Sequence, residues 1–296
     1  MNSGVQFVLP PLVLPFSQQL HSEAAEAAAH ARAWAARTGL YATPQVADRA
    51  YRQLCDRFAA WVYPTAPRSR LDTLACLDLM MFLDDDHADE GAARLRPLTA
   101  SPLLEVIEEP MSPVWCSRFR AHLAEWEQAN VQAGFRRARS GPPPVLGEYV
   151  PWRRVSSTLI WHFDLVEYAH GFELPDDFLA GTLHHDVVDC AADVIAWTND
   201  LFSAPKELSR GEPNNLLAVL AHHHRISLQH AAQDTADRIT GRARQFLEFR
   251  AALVPAAHQG PTAEGLLLEW ADHLGLWAGG NLAFCRESGR YPLRCA

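Results

Sequence analysis

The sequence predicts an all-α fold, and three observations support that prediction. The alternation of Val, Ile and Thr with polar residues that is typical of strands is nearly absent. Apolar residues instead recur at helical spacing, as in the last long segment, where Trp270, Trp277 and Phe284 stand seven positions apart. Proline and glycine divide the chain into about ten such segments. We therefore expect a single domain over residues 1–296, with no internal repeat.

The first part of the chain is expected to contain an arm and three helices. Residues 1–19 are rich in proline and predict an irregular N-terminal arm. Ser22 is expected to cap a first helix that ends near Gly39. A second helix is predicted from about Pro44 to Val62, and a third from about Ser69 into an acidic run near residue 90.

The second part of the chain is predicted to hold the longer helices. The segment Ser140-Gly141-Pro142-Pro143-Pro144 is the clearest loop, but no shift in composition marks it as a domain boundary. Around this loop we expect helices over about Val114–Arg136, Leu146–His170, Ala180–Leu201, Asn214–Leu253 and Ala263–Glu287.

The composition excludes several classes of protein. A formal net charge of −9 without any basic run argues against a nucleic-acid partner. No apolar stretch is long enough to cross a membrane, and the N-terminus lacks the pattern of a signal peptide, so we expect a cytoplasmic protein with no membrane partner. The six cysteines form no CxxC pair, which argues against a zinc cluster and against a disulfide framework.

An acidic run follows directly on the apolar segment Leu77–Leu83, and its first residues are Asp84-Asp85-Asp86-His87-Ala88-Asp89. Burying carboxylates is costly unless they bind a metal or pair with cations. On a helix, Asp85 and Asp89 lie about 40° apart, and Asp86 lies about 100° from Asp85. Oxygens that converge from one face suit Mg²⁺, which also bridges to phosphate. For an isolated run, a solvated helix end at the surface is the commoner interpretation.

A second polar set emerges from the apolar segment Ala191–Trp197. Asn199, Ser203 and Glu207 stand at i, i+4 and i+8, within about 80° of arc on a helix. Amide, hydroxyl and carboxylate oxygens can together hold one Mg²⁺, with water or phosphate completing the octahedron. Taken alone, this set is equally well explained as a polar helix end.

Together the two motifs resemble those of class I terpene synthases, the bacterial terpene cyclases in particular. The first resembles the DDxxD motif of that family as Asp85-Asp86-His87-Ala88-Asp89. The second resembles its NSE triad and matches at every defining position, with the sequence Asn199-Asp200-Leu201-Phe202-Ser203-Ala204-Pro205-Lys206-Glu207.

Two more features stand where the family has them. Arg153, 46 residues before Asn199, resembles the diphosphate-sensing arginine of the family, and Arg290-Tyr291, 83 residues after Glu207, resembles its Arg-Tyr pair. The resemblance spans about residues 45–291, nearly the whole chain.

This resemblance implies a helical bundle around a central apolar cavity, in which three Mg²⁺ ions help to ionise a linear prenyl diphosphate. It implies that the metal ligands are Asp85, with Asp89 or Asp86 assisting, and Asn199, Ser203 and Glu207. The groups that would donate hydrogen bonds to the diphosphate are Arg153, Lys206, Arg290 and Tyr291. We expect farnesyl diphosphate as the substrate and a sesquiterpene hydrocarbon or alcohol as the product.

The apolar part of such a site should hold aromatic rings that stabilise a carbocation. The candidate substrate-binding residues are Phe82, Trp161, Trp197, Trp277 and Phe284, together with Ser157, which lies just after Arg153. Ser156 and Ser157 stand where the family often has a glycine at a helix break. Pro205 lies inside the second motif, where it removes a backbone donor and makes Glu207 the least secure of the ligands.

Several alternatives stay open at this point. The first motif could begin at Asp84 instead of Asp85. Geranyl or geranylgeranyl diphosphate are alternative substrates. A chain-elongating prenyltransferase would share the fold and the metals, although it should carry a second aspartate-rich motif in place of the triad. A catalytically inactive helical partner protein is the remaining alternative, and the sequence leaves open whether the protein forms a homodimer.

Overall fold

Helices account for nearly all regular structure in the computed structural model. It describes the backbone of residues 7–89, 98, 101–138, 141–256 and 261–291, and side chains over 7–87, 98, 101–131, 141–254 and 265–291. Within these ranges there is no strand, which confirms the all-α prediction. The elements found there are α1 (Ala24–Thr38), α2 (Pro44–Arg52), a 3-10 helix (Cys55–Arg57), α3 (Phe58–Val62), α4 (Arg68–Asp89), α5 (Leu103–Glu108), α6 (Pro113–Ala138), α7 (Leu146–Ser156), α8 (Leu159–His170), α9 (Asp176–Leu179), α10 (Thr182–Ser209), α11 (Leu216–His224), α12 (Leu228–Ala256) and α13 (Pro261–Glu287).

Three helices that the sequence pattern predicts as continuous are divided in the structure. The breaks contain Leu54 (φ 55°), Thr158 (φ 71°) and Arg225 (φ 55°), which are the non-glycine residues with positive φ in the described part of the chain. The left-handed backbone is unfavourable for L-residues with a side chain, and it interrupts the helix at each of these positions. Because no glycine or proline stands at these positions, the sequence pattern runs through them without a signal.

The remaining element predictions differ from the structure in smaller ways. The first helix ends at Gly39 as expected, with φ 70°, but its N-cap is Glu23 rather than Ser22. Helix α10 continues through Pro205 to Ser209, so the proline does not end the helix that carries Glu207.

The N-terminal arm is irregular over residues 7–21, as predicted, and lies against α13. Leu12 is buried, and its carbonyl accepts a hydrogen bond from Arg286 (2.5 Å). Gly279 approaches the arm so closely that a Cβ there would lie 2.0 Å from the Ser17 carbonyl oxygen. On the same helix, a Cβ at Gly280 would lie 2.0 Å from the carbonyl oxygen of Trp61. These two glycines let α13 sit directly against the arm and α3.

Helices α4 and α10 bring the two predicted motifs to one cavity. Helix α10 packs against α7, α8, α11, α12 and α13, and α4 packs against α1, α3, α5 and α8. Buried side chains from Leu12 to Tyr291 form one continuous hydrophobic cluster. Between these helices the core leaves two adjoining cavities, and residues near the polar ends of α4 and α10 line them.

Candidate active site

Two adjoining cavities form the candidate site: one has a wall rich in aromatic side chains and is called the apolar cavity, and the other is polar. The apolar cavity has a volume of about 170 Å³ and the polar cavity one of about 600 Å³. Residues from both sequence motifs and from the two predicted arginine positions lie at the junction. The residues that line both cavities are Asp85, Asn130, Arg153, Ser156, Asn199, Arg290 and Tyr291.

At the end of α4, the aspartates of the first motif have different surroundings. The side chain of Asp85 is 60% exposed, whereas that of Asp86 is only 8% exposed. Asp86 Oδ1 accepts a hydrogen bond from Arg290 Nη1 (2.6 Å), and its Oδ2 lies 3.5 Å from Arg49 Nε. Asp84 is buried and lines the apolar cavity. The predicted ligand Asp89 ends α4, and its side chain lies outside the described residues.

Arg290 and Tyr291 connect the two motifs. Arg290 Nη2 donates to Asp85 Oδ2 (2.5 Å), and the guanidinium lies 5.1 Å from the ring centroid of Phe82. The hydroxyl of Tyr291 accepts a hydrogen bond from Asn199 Nδ2 (2.7 Å). Burial alone would lower the pKa of Arg290, but the neighbouring charges, that of Asp85 first, raise it above its ordinary value. Arg290 is therefore a permanent cation at the junction of the cavities.

On α10, the residues of the second motif line the polar cavity. Asn199, Ser203, Lys206 and Glu207 are all lining residues. Asn199 Oδ1 accepts a hydrogen bond from Arg153 Nη2 (2.9 Å). Burial, and then the charge of Asp200, raise the pKa of Glu207 to about 7. A cation in the polar cavity would therefore stabilise the ionised form of Glu207.

Asp200 supports this site from the core, and the sequence pattern did not single it out. It is fully buried, and its Oδ1 accepts a hydrogen bond from Arg153 Nε (2.9 Å). Its Oδ2 accepts from the hydroxyl of Tyr149 and from the backbone N–H of Leu216 (3.2 Å). Asp200 thus holds the guanidinium of Arg153 in the orientation in which Nη2 donates to Asn199. The sequence feature that could have indicated this role is an aspartate directly after Asn199 in an otherwise apolar helix.

Four aromatic rings form one side of the apolar cavity. Phe58 makes edge contacts with Phe82 (5.1 Å between centroids), Phe284 (4.8 Å) and Trp277 (5.4 Å). Three of these four rings were predicted. Phe58 was not, because its short helix α3 exists only through the break at Leu54. Rings arranged in this way offer π-faces that can stabilise a cation.

Two predicted aromatic residues do not line either cavity, and this is a correction to the sequence analysis. Trp197 is buried two positions after Ile195 and two before Asn199, both of which line the apolar cavity. Two positions correspond to about 200° on a helix, so Trp197 lies on the opposite face of α10. Trp161 is fully buried two positions after the lining residue Leu159, and it packs against Trp126 (5.8 Å).

Polar residues also occur in the wall of the apolar cavity. Ser157, which was predicted, lies there with Thr158, Asn130 and Asn281. Asn281 is only 5% exposed, and its Nδ2 lies 3.4 Å from the carbonyl oxygen of Ile195. Single amides on otherwise apolar helical faces gave no distinguishing pattern in the sequence.

The donor set on α10 has the chemistry of a Mg²⁺ site. Amide, hydroxyl and carboxylate oxygens from Asn199, Ser203 and Glu207 line one cavity, and the exposed carboxylate of Asp85 lines it too. These are hard oxygen ligands of the kind that Mg²⁺ takes. Among the described side chains, no three or more His, Cys, Asp or Glu residues are grouped so that they could hold a metal ion. Of Asn199, Ser203 and Glu207 on α10, only Glu207 is one of these four residue types.

None of the helices in the described ranges combines the length and the hydropathy that crossing a membrane would need.

Comparisons with known proteins agree with this geometry. Residues 62–245 match the model of the family described as terpene synthase family 2, C-terminal metal binding. Pentalenene synthase from Streptomyces exfoliatus is 28% identical and covers 100% of this chain and 95% of its own length. (+)-T-muurolol synthase from Roseiflexus castenholzii is 29% identical over 76% of this chain and 77% of its own. The crystal structure of α-eudesmol synthase shares the fold, with a TM-score of 0.82, 21% identity and coverage of 95% of this chain and 100% of that chain.

Proposed function

The chain belongs to terpene synthase family 2 with C-terminal metal binding, and from this premise we propose that it ionises and cyclises farnesyl diphosphate to a sesquiterpene. The observation that carries the proposal is the junction of the two cavities. A polar cavity lined by Asn199, Ser203 and Glu207 meets an apolar cavity lined by aromatic rings, with Arg153 and Arg290 at the boundary. A substrate with a charged head and an apolar tail fits this division.

The choice of farnesyl diphosphate is supported by a relative. The T-muurolol synthase is named as a synthase that cyclises (2E,6E)-farnesyl diphosphate. The product of this chain would be a cyclised hydrocarbon or alcohol with release of diphosphate. Geranyl and geranylgeranyl diphosphate are the alternatives that the experiment below distinguishes.

We propose that residues of α4 and α10 would hold three Mg²⁺ ions, whose positive charge would serve to stabilise the diphosphate leaving group, since a leaving polyanion must be stabilised as its bond to carbon breaks. Asp85 would be the principal ligand on α4, with Asp89 beside it. Asn199, Ser203 and Glu207 would be the ligands on α10. Asp86 was a predicted ligand, and its two arginine neighbours favour a different role, namely anchoring Arg290.

The residues of the chain itself would bind the diphosphate, stabilise the carbocation and exclude water. Arg153, Lys206, Arg290 and Tyr291 line the polar cavity and can donate hydrogen bonds to diphosphate oxygens. Arg290 would exchange its contact with Asp85 for the diphosphate. Phe58, Phe82, Trp277 and Phe284 would face the carbocation and exclude water from it.

For the domain organisation, we propose a single domain over residues 1–296, with the arm packed on α13.

The test is incubation of the purified protein with geranyl, farnesyl and geranylgeranyl diphosphate, with and without Mg²⁺, followed by gas chromatography and mass spectrometry. We expect a Mg²⁺-dependent cyclic sesquiterpene from farnesyl diphosphate alone. Longer prenyl diphosphates formed on addition of isopentenyl diphosphate would show the chain-elongating prenyltransferase instead. No turnover of any substrate, together with no Mg²⁺-dependent binding of a diphosphate analogue, would show an inactive helical protein.

Variants locate the chemistry. Asp85→Ala and Asn199→Ala should each abolish turnover, because each removes a ligand from one side of the polar cavity. Asp72→Ala is the matched control, since Asp72 lies on the same helix as Asp85 and pairs with Arg68 away from both cavities. Turnover that survives in Asp85→Ala or Asn199→Ala would refute the assignment of the metal ligands.

A further inference from the structure

Thr158 adopts a backbone conformation that a threonine rarely takes. It lies between α7 and α8 with φ 71° and ψ −13°, and it lines the apolar cavity. A β-branched residue at positive φ is an outlier, because its side chain crowds the backbone. Such a conformation persists only where the surrounding structure holds it in place. The neighbours of Thr158 therefore identify what stabilises this turn.

His162 contacts the carbonyl oxygen of Thr158 twice. The backbone N–H of His162 donates to that oxygen (3.2 Å), and so does Nδ1 of its ring (2.9 Å). The other ring nitrogen, Nε2, lies 2.9 Å from Asp78 Oδ1. The side chains of His162 and Asp78 are both 0% exposed. A chain of hydrogen bonds thus runs from α4 to the break between α7 and α8.

The hydrogen-bond pattern fixes the position of one ring proton of His162. A carbonyl oxygen only accepts, so Nδ1 of His162 carries a proton. Nε2 then either accepts a hydrogen bond from a neutral Asp78 carboxyl or, in a doubly protonated ring, donates a hydrogen bond to an ionised carboxylate. Burial raises the pKa of Asp78, and its Oδ2 has no hydrogen-bond partner among the residues that the structure describes, both of which favour the neutral carboxyl. In both forms Asp78 directs the Nδ1 proton of His162 toward Thr158.

Resting on the proposed function, we propose that His162, held by Asp78, is a positioning residue that maintains the left-handed turn at Thr158. The turn sets the wall of the apolar cavity at Thr158 and Leu159. It also sets the end of α7, the helix from which Arg153 reaches Asn199. Asp78 precedes Asp85 by two turns on the same face of α4. The chain therefore ties the helix that carries Asp85 to the segment that carries Arg153.

The test is His162→Phe, which keeps an aromatic ring but removes the Nδ1 donor and the contact with Asp78. We expect kcat to fall about tenfold, KM for farnesyl diphosphate to change less than about twofold, and the product mixture to broaden; a tenfold fall corresponds to ~1.4 kcal/mol. Adding Thr158→Gly to this variant should restore most of kcat, because glycine adopts positive φ readily. A residue that only supports folding would not be rescued at this position.

The control is His21→Phe. His21 is also a buried histidine, and its ring nitrogens contact the Ala66 carbonyl oxygen (3.0 Å) and the Glu23 N–H (3.0 Å), away from both cavities. This variant should melt at a lower temperature with an unchanged kcat and product mixture.

The outcomes separate the two proposals. An inactive wild-type protein would overturn the proposed function. An active wild type with an unchanged kcat in folded His162→Phe, or a loss that Thr158→Gly does not restore, would overturn the role of His162. If His162→Phe does not fold, Asp78→Leu provides the same test, because without the carboxyl the ring proton is no longer directed to Nδ1. Asp78→Asn, whose amide can donate to Nε2, should retain kcat within about twofold.

Discussion

Replacing Asp200 with asparagine should reduce both stability and turnover, and the structure gives the size of each effect. Asp200 is 1% exposed and Arg153 is 15% exposed, with 2.8 Å between Asp200 Oδ1 and Arg153 Nη2. Asparagine keeps the shape and one carbonyl acceptor, but it leaves the guanidinium buried without its counter-charge. Burial tends to lower the pKa of Arg153, and the charge of Asp200 is the first of those that raise it.

Removing one partner of a buried ion pair costs about 3–5 kcal/mol, and the lower end applies because asparagine still accepts a hydrogen bond. For a chain of this size, ~3 kcal/mol corresponds to a fall in Tm of about 6–12 °C. Arg153 would also turn away from Asn199. The loss of a well-placed donor to developing negative charge typically lowers kcat about a hundredfold or more.

The same two helices supply a matched control. Seven residues before Asp200, the buried Asp193 accepts two hydrogen bonds from Arg154 (2.7 Å each). Arg242 also lies 2.8 Å from Asp193, and none of these three residues lines either cavity. Asp193→Asn should therefore lower Tm by at least as much as Asp200→Asn while leaving kcat within about threefold.

The assays are differential scanning fluorimetry for Tm and steady-state release of diphosphate for kcat. Equal losses of kcat in the two variants would refute the assignment, because they would show that any break between α7 and α10 impairs turnover. A folded Asp200→Asn protein with the wild-type kcat would show that Arg153 does not depend on Asp200 for its orientation.

Three further predictions concern packing, pH and the first motif. Gly280→Ala should lower the free energy of unfolding by ~3 kcal/mol or more, since its Cβ would overlap the Trp61 carbonyl oxygen, and denaturant titration measures this. His170 is stacked 3.5 Å from the His273 ring, and burial, followed by the charges of His273 and Arg70, lowers its pKa from 6.5 to about 3. His170 should therefore contribute a loss of stability of ~2 kcal/mol as the pH falls from 6.5 to 5, and His170→Phe should remove this contribution. Asp86→Asn should lower kcat without changing the Mg²⁺ concentration needed for half-maximal turnover, whereas Asp85→Asn should raise that concentration.

Each of these has a control or a contrary outcome. A Cβ at Gly241 on α12 would meet no described atom within 4 Å beyond its own stretch of helix, so Gly241→Ala should be neutral or stabilising by ~1 kcal/mol. An unchanged slope of stability against pH in His170→Phe would contradict the cause assigned to it. A raised Mg²⁺ requirement in Asp86→Asn would make Asp86 a metal ligand after all.

Much of the site could be predicted because it depends on local spacing. Asn199, Ser203 and Glu207 share a face of α10 by virtue of helical geometry alone, and α10 does continue through Pro205. Arg290 and Tyr291 could be placed only by their resemblance to a family pattern, and the structure brings them between Asp85 and Asn199. The aromatic assignments were less secure, because a ring at helical spacing faces the core whether or not a cavity lies there.

The sequence by itself determined the helical class, the two polar helix ends and the order of the groups that meet at them. Those properties follow from residue type and from a fixed 100° per residue, and neither needs a long-range contact. Tertiary structure decided where helices break without glycine, at Leu54, Thr158 and Arg225, since only packing can hold a side chain at positive φ. Tertiary structure also decided that Asp200 orients Arg153 and that Trp161 and Trp197 are packed in the core without lining either cavity. Both outcomes depend on which helix packs against the face that carries the side chain.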